Sequence, residues 1–193
     1  MKAIFLDRDG VINEMIHVPE HDFVDSPVKP SQFKLIDGVK KAIKILQKLD
    51  YKIIIISNQP GIAKGYYTKK TFDKIQEKMH LEFHRSKIII DDEFYCLHHP
   101  NAKLKEYRKK CKCRKPGIDL ILQAKKKYEL DMKLSYFIGD GVVDMQAAKI
   151  AGCNSIFIGN INSTITNLFN SKKCFPDHIF HNLLEASKFL ESK

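Results

Sequence analysis

The sequence predicts an α/β domain built on a mainly parallel sheet with helices on both faces. Apolar strand-like runs alternate with amphipathic helical patterns from end to end. One run, KIIIIS at 52–57, is continuously β-branched, as in a strand buried on both faces. Four strands end in polar chemistry, DRDG, SNQPG, CLHHP and GDGVVD, and open parallel sheets bind ligands at the carboxyl ends of their strands. The 193 residues suit one domain, 1–193, and 44% hydrophobic residues can fill its core.

The elements follow in order. KAIFL (2–6) reads as a strand, and 13–36 as irregular. DGVKKAIKILQKL (37–49) puts Val39, Ala42, Ile43, Leu46 and Leu49 on one helical face, with Asp37 as N-cap. After the strand at 52–57, TKKTFDKIQEKMHLEF (68–83) brings Phe72, Ile75, Met79 and Phe83 into helical register. DEFYC (92–96) is a short strand, and 97–116 is irregular. GIDLILQAKKKY (117–128) is a helix entered through Pro116. LSYFIG (134–139) is a strand, VDMQAAKIAG (143–152) a helix closed by Gly152, and CNSIFIG (153–159) a strand. DHIFHNLLEASKFL supplies a short edge strand and a last helix.

The net charge of +10 suits a phosphorylated substrate or a nucleic acid, although lysines recur on what read as exposed helix faces. No stretch reaches the roughly 18 apolar residues of a membrane span. MKAIFLDRDG does not read as a secretory leader, since Asp7 ends its short apolar run. Five cysteines, an odd number, predict a reduced, cytoplasmic setting in which clustered thiols bind metal.

Asp7 and Asp9 are two apart. In an extended chain they point the same way and Arg8 the opposite way. Gly10 lets the backbone turn, and Asp140 and Asp144 follow a later strand. Gathered carboxylates repel and need a cation, and hard oxygen ligands favour Mg²⁺. With Mg²⁺ neutralising charge, one carboxylate can attack phosphorus. The second can protonate the leaving oxygen and then take a proton from water. Ser57 and Asn58 could donate to phosphoryl oxygens, and Lys115 could supply a cation.

Cys96 and His98 are two apart, as are Cys111 and Cys113. Two such pairs joined by a loop can close a structural, tetrahedral Zn²⁺ site. His99 is either an alternative ligand or the cap of a turn. Cys153 reads as a core residue and Cys174 as a surface or edge thiol.

FLDRDGVIN, Ser57-Asn58-Gln59, Lys115 and GDGVVD, in that order over roughly 3–152, resemble the four motifs of the haloacid dehalogenase superfamily of phosphatases. The resemblance implies a Rossmann-like fold, with Asp7 as nucleophile and Asp9 as general acid/base. It gives the metal Asp7, Asp140 and the backbone carbonyl of Asp9, with Asp144 in support. Ser57 and Lys115 would hold the phosphoryl group, and Asn58, Gln59 and Arg114 would bind substrate. Segments 14–36 and 60–68 are too short for a large cap domain.

CLHHP…CKCRKP resembles the zinc loop of the subgroup containing heptose bisphosphate phosphatases and the histidinol-phosphatase domain. That implies zinc on Cys96, His98, Cys111 and Cys113, with the 96–113 loop fixing Arg114 and Lys115. The implied reaction takes D-glycero-D-manno-heptose 1,7-bisphosphate to heptose 1-phosphate plus phosphate. Gly141 stands where that subgroup carries a basic residue. Arg114, Lys64, or His17 and His21 are then the candidates to hold the second phosphate. Histidinol phosphate and a nucleic-acid 3′-phosphate are alternative substrates, and a basic zinc-loop nucleic-acid-binding module is the alternative to an enzyme. Carboxylates at the strand ends and aromatic residues at core positions argue against a nucleic-acid partner. A monomer is expected.

Overall fold

The computed structural model describes residues 1–18 and 23–193. The first half of the chain runs β1 (Ala3–Leu6), β2 (Ile16–Val18), β3 (Phe23–Asp25), α1 (Val39–Lys48), β4 (Lys52–Asn58), α2 (Gly61–Lys64), α3 (Lys69–Arg85) and β5 (Asp92–Cys96). The second half runs α4 (Asp119–Tyr128), β6 (Tyr136–Gly139), α5 (Val142–Ala151), β7 (Asn154–Ile158), α6 (Ser163–Ser171), β8 (His178–Phe180) and α7 (Leu183–Glu191). Six strands form one sheet in the order β5-β4-β1-β6-β7-β8, each neighbouring pair parallel.

Alternation along the central strands divides the core in two. Ile4, Leu6, Ile53, Ile55 and Ile138 join the α1, α3 and α7 side. Ala3, Phe5, Ile54, Ile56 and Phe137 join the α4 and α5 side. The continuous apolar run at 52–57 is therefore what a strand between two helical layers requires. The chain moves from β1 outward to β4 and β5, then returns to β6 on the other flank of β1. That reversal opens a crevice at the carboxyl end of β1, between β4 and β6.

Several local expectations are corrected. Segment 13–36 is not wholly irregular, because β2 and β3 pair antiparallel within it, Ile16 opposite Asp25. Asp37 does not cap α1; the N-cap is Gly38 at φ 84, with no side-chain cap bond. The helix after the 97–116 loop starts at Asp119, so Pro116 precedes it rather than opening it. Two further helices, α2 and α6, lie outside the expected elements, although α6 carries Ile165, Leu168 and Phe169 at helical spacing. The α6 segment STITNLFNS is rich in poor helix formers and is started by the Asn162 side chain accepting from Ile165 N. Cys153 is buried as expected, but Cys174 is buried too, packed with Met145, Phe157 and Phe169. No described helix is long and apolar enough to cross a membrane.

Candidate active site

Asp7 leaves the end of β1, and its backbone N still donates to Ile138 O of β6 at 3.0 Å. Gly10 follows at φ 81, where a Cβ would stand 1.9 Å from Asp140 Oδ2. Only glycine lets this turn lie against the carboxylate arriving from β6. Asp144, on the first turn of α5, accepts from Gly141 N at 2.9 Å. Lys115 comes in from the 97–116 loop and is almost fully buried. Its Nζ lies 2.9 Å from Asp7 Oδ1 and 2.7 Å from Asp144 Oδ1, and donates to Ile56 O at 2.8 Å.

Oxygens of Asp7, Asp140 and Asp144 lie within 4.8 Å of one another. Burial, then the charges of Asp7 and Asp144, push the Asp140 carboxyl up to about 8, against the pull of Lys115. Asp144 rises to about 6, chiefly through burial, with Lys115 opposing. Lys115 is itself raised, the attraction of Asp144 and Asp7 outweighing its burial. One lysine is thus set against three carboxylates. An all-oxygen cluster with that excess of negative charge fits a hard divalent cation such as Mg²⁺.

Asp9 lies apart from this cluster. The chain turns directly after Asp7, with Ile12 N and Asn13 N both bonded to Arg8 O, so strand alternation no longer applies. Arg8, expected to point away, is fully buried instead. Its Nη2 lies 3.1 Å from both Asp9 oxygens. Asp9 also accepts from Asn13 Nδ2 at 2.9 Å, Gln59 Nε2 at 2.5 Å and Ser26 Oγ at 2.9 Å. Burial alone would raise its carboxyl, but Arg8, Asn13 and Gln59 outweigh it and hold it below the usual range. Its carboxylate does not join the Asp7, Asp140 and Asp144 set.

The residues at the end of β4 also differ from expectation. Gln59, expected to meet substrate, has no exposed surface. It bridges instead, donating to Asp9 and to Ser57 Oγ at 3.1 Å and accepting from Arg8 Nη2 at 2.8 Å. Asn58 spends its amide on the backbone of Lys115, at 2.9 Å and 3.2 Å. Ser57 is buried beside them. Arg8 sits inside the Asp7–Asp9 motif, where alternation turns it away from the site, and Ser26 has no local pattern around it.

The second cluster brings together Cys96 at the end of β5, His98, Cys111 and Cys113, again within 4.8 Å. Cys113 Sγ lies 3.3 Å from Cys96 Sγ, 3.1 Å from Cys111 Sγ and 3.4 Å from His98 Nδ1. Three sulfurs and one imidazole nitrogen form a closed, soft donor set of the structural zinc type. His99 is not in the set; its Nδ1 accepts from Asn101 N at 3.1 Å and caps the turn. Arg114 follows the last donor, its Nη1 3.5 Å from His98 O. His99, Lys109, Lys110, Arg114 and Lys115 contribute to a recess of about 250 Å³. Lys64 is 3.6 Å from Asp25, so its charge already has a partner. His17 is exposed on β2, and His21 lies outside the described residues.

A parallel sheet carrying an aspartate cluster and a buried lysine at its switch point defines a phosphatase site of the haloacid dehalogenase type. The chain belongs to that superfamily: residues 9–167 match the family described as Polynucleotide kinase 3 phosphatase, and the curated relatives are named phosphatases. More particularly, it is 36% identical to the D-glycero-beta-D-manno-heptose-1,7-bisphosphate 7-phosphatase of Escherichia coli (strain K12) over 164 residues, 85% of this chain and 82% of the relative. The Yersinia pestis protein of the same name is 30% identical and covers 99% of this chain, itself covered to 96%. Among solved structures, D,D-heptose 1,7-bisphosphate phosphatase from B. bronchiseptica, complexed with magnesium and phosphate, superposes with a TM-score of 0.80 at 27% identity. It covers 100% of this chain, and 99% of its own length is matched.

Proposed function

We propose that this chain, acting as one domain, removes the 7-phosphate of D-glycero-β-D-manno-heptose 1,7-bisphosphate. The observation that carries the reading is the likeness to the named 7-phosphatases over 85% or more of the chain, taken together with the buried Lys115 between Asp7 and Asp144. A reduced cytoplasm suits the thiol cluster.

In this reading Asp7 attacks phosphorus, forming an aspartyl-phosphate, while Asp9 protonates the departing sugar oxygen. Asp9 then takes a proton from the water that cleaves the intermediate. Lys115 holds Asp7 in place and offsets charge on the phosphoryl oxygens. Asp7, Asp140 and Asp144, with the Asp9 carbonyl, would hold Mg²⁺, which neutralises charge between the attacking carboxylate and the phosphoryl group. Ser57 is the remaining phosphoryl donor. Asn58 and Gln59 act one step back, on Lys115 and Asp9. Cys96, His98, Cys111 and Cys113 would hold Zn²⁺ and fix the loop that carries Arg114.

Gly141 offers no side chain and Lys64 is committed to Asp25, so Arg114 and the lysines of the adjoining recess hold the 1-phosphate. The same two facts favour a second reading, a monophosphate such as histidinol phosphate. Comparing kcat/KM for the bisphosphate, the heptose 7-monophosphate and histidinol phosphate separates them. The first reading expects the bisphosphate to be preferred by more than about tenfold, or ~1.4 kcal/mol. A smaller preference favours the second.

A further inference from the structure

Asp9 accepts six hydrogen-bond contacts from four side chains. Three of the four can only donate as they are placed. A guanidinium has no acceptor. Gln59 is oriented by its Oε1, which accepts from Arg8 Nη2 at 2.8 Å, so its amide nitrogen must face Asp9. Asn13 is oriented by its Nδ2, which also donates to Glu14 O at 3.0 Å. The fourth partner is Ser26 Oγ, 2.9 Å from Asp9 Oδ2. A hydroxyl carries both a donor and acceptor lone pairs and turns to suit its neighbour.

A residue that passes protons at one point must be held at that point. Arg8 and Asn13 hold Asp9 from the turn and Gln59 from the end of β4, whereas Ser26 alone of the four holds it from the β3 side. We propose that Ser26 is the positioning residue for the acid/base. Its hydroxyl donates to Asp9 Oδ2 and fixes the carboxyl from the β3 side. This rests on the reading of Asp9 as general acid given above. The proton passes from Asp9 Oδ2 to the bridging oxygen as the P–O bond breaks and its electron pair moves onto that oxygen. The water that attacks the aspartyl-phosphate later returns a proton to Asp9.

The placement of Ser26 is built rather than incidental. Ser26 follows β3 directly, and its N donates to Asp25 Oδ1 at 2.7 Å. The other Asp25 oxygen lies 3.6 Å from Lys64 Nζ of α2. Pro27, the next residue, is buried. The β2–β3 pair is thereby tied down on the side where Ser26 stands. This gives the pair a use that its sequence does not announce.

The test measures kcat and KM for Ser26→Ala, Ser26→Thr and Asp9→Asn with Mg²⁺, on the heptose bisphosphate and on p-nitrophenyl phosphate. The alkyl leaving group needs a proton and the nitrophenolate does not. Ser26→Ala should lose about tenfold in kcat on the bisphosphate, the scale of one hydrogen bond to a charged group. It should lose less than about threefold on the aryl ester, with KM little changed, and Ser26→Thr should restore the rate. Equal losses on both substrates, a loss confined to KM, or no loss would overturn the proposal. If Asp9→Asn itself fails to discriminate between the substrates, the acid assignment falls first and takes the proposal with it. If Asp9→Asn discriminates and Ser26→Ala does not, the role of Ser26 alone is refuted.

Discussion

Asn58 holds Lys115 by both polar groups of its backbone. The amide oxygen accepts from Lys115 N at 2.9 Å, and the amide nitrogen donates to Lys115 O at 3.2 Å. Asn58 ends β4, whereas Lys115 belongs to a long loop. This pair of bonds is what couples the loop to the sheet at the point where Lys115 Nζ reaches Asp7.

Asn58→Ala should therefore act through Lys115. Displacing a positioning group slightly costs up to about a hundredfold in rate. Asn58→Ala should lower kcat by ten- to about a hundredfold, with a smaller change in KM. Steady-state kinetics on the bisphosphate check this. A rise in KM at constant kcat would show that Asn58 touches substrate instead.

The thiol cluster makes a parallel prediction at the other end of the loop. Cys113→Ser removes the sulfur that lies within 3.4 Å of all three other donors. Elemental analysis should find zinc in the wild type and none in the variant, with kcat down by about a hundredfold. Dependence on Mg²⁺ should persist, because Asp7, Asp140 and Asp144 stand on other elements. Cys153→Ser, in the core on the α4 and α5 side, should leave the zinc content unchanged.

Much of this was readable from the chain. Continuous β-branched runs can be placed because strands between two helical layers have no polar face. Asp7, Asp140 and Asp144 come together because each follows a strand end around one switch point, and Lys115 joins them from the long loop that Asn58 ties to the end of β4. Arg8 and Gln59 were misread for a physical reason. Alternation of side chains holds only while the backbone is extended, and the chain turns at Arg8, sending the guanidinium inward to Asp9. The resemblance gave Gln59 to the substrate, yet it is buried against the Arg8 turn, bonded to Arg8, Asp9 and Ser57. The contact of Ser26 with Asp9 spans 17 residues and depends on the pairing of β2 with β3. Cys174 is buried because it packs against Phe169 of α6, a short helix whose apolar spacing is confined to Ile165, Leu168 and Phe169.

The aspartate cluster also sets a pH dependence for protein loaded with zinc but free of magnesium. In the folded chain the Asp140 carboxyl is raised to about 8 and Asp144 to about 6. An unfolded aspartate titrates near ~3.9. Between these values the folded state keeps protons that the unfolded state has lost, so this pair makes stability fall as pH rises from about 4 to about 8. A divalent cation favours the ionised carboxylates and offsets the loss. Thermal melts should show Mg²⁺ raising Tm more at pH 8 than at pH 5. An equal or smaller rise at pH 8 would contradict this account of the cluster.

The most direct measurement is phosphate release from D-glycero-β-D-manno-heptose 1,7-bisphosphate by the wild type and by Asp7→Asn, at saturating Mg²⁺, with the product's remaining phosphate located by ³¹P NMR. The account predicts one phosphate lost, from C7, and an Asp7→Asn variant that folds normally but turns over at less than about a thousandth of the wild-type kcat. Loss of the 1-phosphate, or an Asp7→Asn variant above that level, would contradict it.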